Sequence, residues 1–310
     1  MPPNNQPSSP VQTPNLGVSP ETPPSLNEWL ETQFDQQYDD FTKALDQTGI
    51  LTILPESLEM GIIGFDGVEY PLPNKDKIKQ RMLENREVIE KKMSQGFTRL
   101  QLTPFALPLD QLIDLTKTRI LKHHKAGKLF TAKKDPNDPK KKLIPLELDE
   151  NEPLHFSGEY PKADQTDDLV YYPDQFTQED HGGLTKTQIL QQQKDQKDPF
   201  PGWEVKLLQP NLNIPAEDKG ETIGNRPRLE ANQKPKDYLK KIKTNPIYAN
   251  ESGLTPEDWL VFFTTHLKQT DQVIDDCAGN GKNCYLIASW FPRSGVVGCA
   301  RWIRVTGGRT

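Results

Sequence analysis

Proline occurs 28 times in this chain of 310 residues, and no other feature limits its fold as much. The ring fixes φ and removes a backbone donor, so proline ends helices and is confined to the edges of sheets. A chain so punctuated folds as short elements joined by loops. Apolar residues supply 34% and charged residues 26%, below the apolar share of roughly 45–50% in an average globular domain. The expected class is α+β, with amphipathic helices packed on short, mostly antiparallel strands. Two compact units of modest size are expected rather than one deep core.

Residues 1–24 hold eight of the prolines among Asn, Gln, Ser and Thr and read as a disordered tail, because nothing apolar offsets the entropy of ordering. An α+β domain is expected over 25–210. Ser25 and Glu28 form a capping-box pattern, and Leu26, Trp29, Leu30, Phe34, Phe41 and Leu45 share one helical face up to Gly49. Asp66-Gly67 predicts a type I′ hairpin turn within Met60 to Leu72. Asn74 caps a second helix with Ile78, Met82, Ile89 and Met93 on its apolar face, ended by Gly96. A strand over Phe97 to Leu102 follows, then a helix from Pro108 carrying Leu109, Leu112, Ile113, Thr116 and Ile120. Lys128 to Thr131 and Leu143 to Leu146 are expected to pair. Asp168 to Tyr172 and Trp203 to Leu208 read as strands around a polar helix, Thr185 to Gln193. Residues 211–250 read as a loop-rich connector. In 251–310, Thr255-Pro256-Glu257-Asp258 gives an N-cap, a proline at N1 and acids at the positive end of a helix dipole. Trp259, Leu260, Phe263 and Leu267 form its expected buried face, and Asn283 to Trp290 reads as a strand.

Net charge is −6, which argues against binding a polyanion through overall charge. Its distribution is uneven. Lys117 to Lys142 holds ten Lys or Arg against two acids, and Glu147 to Asp180 holds eleven acids against Lys162 alone. Two such blocks are expected to attract each other or to form solvated faces. The alternative is a nucleic-acid contact through Lys133, Lys134, Lys140, Lys141 and Lys142. No run approaches the ~20 apolar residues that cross a bilayer, and the first basic residue is Lys43. No membrane partner is expected, and a cytoplasmic protein with reduced thiols is.

Motifs that carry chemistry are incomplete. Ala278-Gly279-Asn280-Gly281-Lys282-Asn283 resembles part of a phosphate loop, but Asp276 and Asn283 stand where that loop needs Gly and Ser or Thr. It reads as a tight turn. His181-Gly182-Gly183 has no accompanying nucleophile elbow. His266, Cys277, Cys284 and Cys299 lack the paired short spacing of a zinc site, so three small buried thiols are expected. Asp167-Asp168 and Asp275-Asp276 read as solvated turns, and His123-His124 as a solvated helix end. No cofactor, metal or catalytic residue is expected, which leaves an enzyme only as an alternative with a site scattered through the chain.

The C-terminal stretch 285–310 carries Tyr285, Trp290, Phe291 and Trp302 with Arg293, Arg301, Arg304 and Arg309, and no acid. Aromatic and Arg residues are enriched on binding surfaces, so Trp290, Arg301, Trp302, Arg304 and Arg309 are the candidate ligand contacts. Tyr285-Leu286, Ser289 to Gly295, Ala300 to Arg304 and Gly307-Gly308-Arg309, with the helix motif Gly253 to Leu260, resemble the lead-in to the variable region of diversity-generating retroelement target proteins. That resemblance covers about a fifth of the chain. It implies a C-type-lectin-like module, truncated at Thr310, that binds a protein or surface ligand. The expected function is therefore a non-enzymatic binding protein.

Overall fold

The computed structural model describes residues 24–130, 143–156, 160–210, 215, 217–274 and 284–302, with Arg301 and Trp302 described by backbone alone. The fold is α+β. Ser25 opens a helical rod by accepting the Glu28 N–H at 3.3 Å. The rod runs through α1 (Leu26–Trp29), a π-helical turn (Leu30–Phe34) and α2 (Asp35–Thr48) to Gly49, whose φ of 79° ends it. Its six expected core residues are all buried. A meander follows, β1 (Thr52–Ile53), β2 (Met60–Ile63) and β3 (Glu69–Pro71). Its turn is not the expected type I′. Gly67 alone of the pair takes positive φ, and its N–H closes onto Gly64 O. The Asp66 carboxylate instead accepts from Val68 N–H and the Tyr70 hydroxyl.

Asn74 caps α3 (Lys75–Glu84) through the N–H groups of Asp76 and Lys77. The expected single helix then breaks at Asn85, φ −108°, before α4 (Arg86–Ser94). Asn85 donates its side-chain amide to Arg81 O, the local competition that makes Asn a poor helix interior. Next come β4 (Arg99–Thr103), α5 (Leu109–Lys125), β5 (Leu154–Phe156), β6 (Val170–Tyr171), α6 (Lys186–Asp195) and β7 (Glu204–Leu208). Strands β4 and β7 pair antiparallel from Arg99↔Leu208 to Thr103↔Glu204. The expected pairing near Leu143 is a single bridge, Phe130↔Pro145. Thr185 and Gln188 complete a capping box on α6. The connector holds a hairpin, β8 (Thr222–Ile223) and β9 (Arg226–Pro227), then α7 (Pro235–Thr244).

Helix α8 (Pro256–Thr270) lies at the centre. One buried face was expected; every residue from Pro256 to Leu267 is buried. It packs against α2, α5 and β4. Thr116 and Thr264 meet through their hydroxyls, 2.9 Å apart, where α5 crosses it. The buried apolar residues form one cluster running from Leu26 to Ala300. The last strands, β10 (Cys284–Tyr285), β11 (Ser289–Trp290) and β12 (Cys299–Trp302), are joined to earlier ones. β12 lies between β10 and β5, and β11 pairs with β6. Residues 1–23 and 131–142, including the tail and the basic tip, lie outside the described residues.

Truncating Phe263 to alanine, at the centre of this packing, is expected to cost about 3–5 kcal/mol, read as a lower urea midpoint. Val88→Ala on the exposed side of α4 should stay within about 0.5 kcal/mol of wild type.

Candidate functional site

Burying α8 whole takes Glu257 and Asp258 out of water with it. Both are fully buried, and an unpaired buried carboxylate is strongly destabilising. Each has recruited a lysine from a distant part of the chain.

The first cluster is sealed. Lys186 Nζ lies 2.7 Å from Asp164 Oδ2 and 2.8 Å from Glu257 Oε1, with all three side chains at 0% exposure. Nζ also donates to Leu107 O at 3.1 Å, and Leu109 N–H donates to Asp164 Oδ2 at 3.0 Å. The Tyr171 hydroxyl donates to Glu257 Oε1 at 2.7 Å. The rings of Phe105 and Tyr171 lie near the ammonium, with centroids 5.2 and 6.0 Å away. Burial opposes the charge on Lys186, but Glu257 and Asp164 outweigh it and raise its pKa.

The second cluster reaches the surface at one edge. Lys206 Nζ is 2.5 Å from Asp258 Oδ2 and 2.7 Å from Glu204 Oε2, and donates to the Tyr172 hydroxyl at 2.8 Å. Asp258 also accepts from the Thr255 N–H and the Thr103 hydroxyl, and Tyr172 donates to Glu204. Burial opposes the Lys206 charge, yet Asp258 and Glu204 raise its pKa well above the ordinary value. Burial pushes the Glu204 carboxyl up despite Lys206. Consecutive tyrosines thus serve the two clusters, Tyr171 the first and Tyr172 the second. Tyr172 does so with φ of 54°, a left-handed conformation that is strained for a bulky residue.

A third pairing holds the flank. Arg226 grips Glu251 with two bonds, Nε to Oε1 at 2.8 Å and Nη2 to Oε2 at 2.5 Å. Lys92 Nζ adds a contact of 2.7 Å. A groove of about 270 Å³ runs between this pairing and the second cluster, lined by Met82, Ile89, Leu100 and Leu254 together with Lys92 and Lys206. Across Ser252 to Leu254 lies a cleft of about 300 Å³ bordered by Arg226, Tyr238, Leu254 and Tyr285.

Two carboxylates hold the charge on each of these lysines against burial, which disfavours offering the free amine to an incoming substrate. No substrate reaches the first cluster at all. The clusters fasten α8 to α6 and β7, and among the described residues no group of three His, Cys, Asp or Glu is placed to hold a metal ion.

The expected ligand contacts fare differently. Trp290 is 1% exposed, packed beside Phe176 and His181, because β11 pairs with β6 inside the fold. It is a core residue and not a ligand contact. Arg301 and Trp302 lie on β12, next to β5. Arg304, Arg309 and the lysines 133, 134, 140, 141 and 142 lie outside the described residues. Cys284 and Cys299 are half-buried on neighbouring strands, less enclosed than expected. Between the oppositely charged blocks, the ion contact among the described residues is His124 Nδ1 to Glu150 Oε1 at 3.2 Å. His123 is not a free helix end; its Nε2 lies 3.6 Å from Asp271. The signal that could have found the clusters was Trp259 to Phe263. Five successive apolar residues at 100° each sweep the whole helix circumference, so the acids just before them are carried inside.

Lys206→Met leaves two carboxylates without their cation and is expected to cost about 3–5 kcal/mol. A double-mutant cycle with Asp258→Asn, followed by urea unfolding, should return a non-additive term. His266 offers a pH test. Burial, with Arg99 nearby, lowers its pKa from 6.5 to about 4, and its Nε2 has no partner. The unfolded chain binds this proton below pH 6.5 and the folded chain only near 4. Stability is therefore complete above 6.5 and falls as pH drops toward 4, by up to about 3 kcal/mol. His266→Met should flatten that part of a Tm–pH curve.

No helix among the described residues is long and apolar enough to cross a membrane. Neither family models, nor curated proteins, nor solved structures give a match to this chain, so the geometry above is what speaks for its function.

Proposed function

We propose that this chain is a non-enzymatic binding protein, with its C-terminal strands as the base of a ligand-contacting surface. The observation that carries this reading is the support beneath those strands. β12 lies between β10 and β5, and the same core holds the fully buried α8. A rigid base lowers the entropy lost when a surface engages its ligand. The aromatic and Arg content of that region adds to the case. Tyr285 is 42% exposed on β10 and borders the cleft that also holds Arg226 and Tyr238. Such residues bring large contact area at low entropic cost. The saturated lysines favour binding over catalysis, since each already holds its carboxylates.

The resemblance to diversity-generating retroelement target proteins makes the proposal more specific: the surface would vary in sequence from copy to copy, on a constant framework. The basic block is the basis of a nucleic-acid reading, and no contact among the described residues favours it.

The gene's surroundings test this directly. A reverse transcriptase gene and a near-repeat of the codons for the C-terminal stretch are expected beside it. If the locus carries neither, the retroelement reading fails. The binding reading has its own test, in which the purified chain is applied to immobilised glycans and proteins. A ligand whose retention drops at least tenfold with Tyr285→Ala supports it, and retention indifferent to that change counts against this surface.

A further inference from the structure

The sealed cluster around Lys186 has features that an ion pair does not need. A lysine amine and an aspartate carboxyl stand in contact, 2.7 Å apart, in an interior without solvent exposure. A second carboxyl, Glu257, lies 2.8 Å from the same nitrogen. Asp164 Oδ1 and Glu257 Oε2 are both buried with no hydrogen-bond partner, although buried carboxylate oxygens are normally satisfied. The aromatic walls of Phe105 and Tyr171 weaken solvation of every charge in the cluster.

We infer that Lys186 and Asp164 condense into an isopeptide, an amide between Nζ and Cγ, with Glu257 relaying the proton. The chemistry balances without any co-reactant. The Lys186 ammonium passes one proton to Asp164 Oδ2, the oxygen that it touches at 2.7 Å, which gives a neutral amine beside a neutral carboxylic acid. Nitrogen attacks Cγ, the carbon that bears that oxygen, and the carbonyl electron pair moves onto Oδ1. Glu257 Oε1, 2.8 Å from the nitrogen, takes a proton from it and delivers that proton to the Oδ2 hydroxyl, to which the Leu109 N–H donates at 3.0 Å. The Cγ–Oδ2 bond breaks, the carbonyl re-forms at Oδ1, one water leaves, and Glu257 returns to its starting form beside the Tyr171 hydroxyl.

The two carboxyls are distinguished by their partners. Glu257 Oε1 accepts from Tyr171 as well as Lys186, which fixes that oxygen beside the nitrogen and places it to relay. Asp164 meets its donors at Oδ2 and has none on Oδ1, which marks Oδ2 as the oxygen that is protonated and departs and Oδ1 as the oxygen of the amide. The two carboxylates hold the Lys186 charge against burial, so the neutral pair that attack requires is reached by proton transfer within the cluster, which is closed to solvent. The bond would tie the loop before β6 to the first turn of α6. It would close a covalent ring that contains β6, the strand that pairs with β11.

Intact-mass measurement of the denatured full chain reads the outcome. The wild-type protein is expected to be lighter than its sequence by one water, and proteolysis should release a branched peptide joining Lys186 to Asp164. Glu257→Gln and Lys186→Arg should restore the full mass, with circular dichroism confirming that each variant folds. Where a variant does not fold, the wild-type mass and the branched peptide decide. A folded wild-type chain at full sequence mass overturns the inference and leaves a permanent ion cluster. A branch to Glu257 in place of Asp164 overturns the assigned roles.

Discussion

Two carboxylates at the head of a helix with no solvent-facing side organise this structure. Glu257 and Asp258 occupy the first turn of α8, where the helix dipole favours negative charge. The same turn is sealed from water, which disfavours it far more strongly. The resolution is a lysine for each acid. Lys186 comes from the first turn of α6, and Lys206 from the middle of β7. Once those lysines are committed, α6 and β7 have little freedom relative to α8, and β4 follows β7 through its ladder.

Hydrogen bonds extend this constraint outward. Asp258 binds the Thr103 hydroxyl, and Gln101 donates both to that hydroxyl and to Asp258 O. Two neighbouring strands, β4 and β7, therefore answer to one side chain. Tyr171 and Tyr172 divide their hydroxyls between the clusters, and the positive φ at Tyr172 shows backbone strain accepted to do so. Such networks specify one arrangement because a half-satisfied version is costly. They do not by themselves add net stability, since equivalent apolar packing is often as good.

Much of the fold was legible before any coordinates. Helix starts at Ser25, Asn74, Thr185 and Thr255 and stops at Gly49 and Gly96 are local events, fixed by side chains within four residues of the backbone groups they satisfy. The core stripes of α2 and α5 were equally plain, because periodicity is also local. Where local signals competed, the reading failed. Asn85 broke a helix whose apolar spacing ran through it, and Asp66 bound its neighbours rather than adopting a mirror-image turn. Trp290 looked like a surface anchor by composition, and strand pairing buried it.

The acids at the start of α8 were visible as capping residues, and that role is real: Asp258 completes a capping box with Thr255. Their second role depended on which lysines arrive beside them, and no spacing along the chain encodes that. Composition, punctuation and periodicity set the element types, the α+β class and most of the buried stripes, since each follows from residues close together in sequence. The pairing of Lys186 with Asp164 and Glu257, and of Lys206 with Asp258 and Glu204, came from packing. Coulomb and hydrogen-bond partners become strong only after distant segments have excluded the water between them.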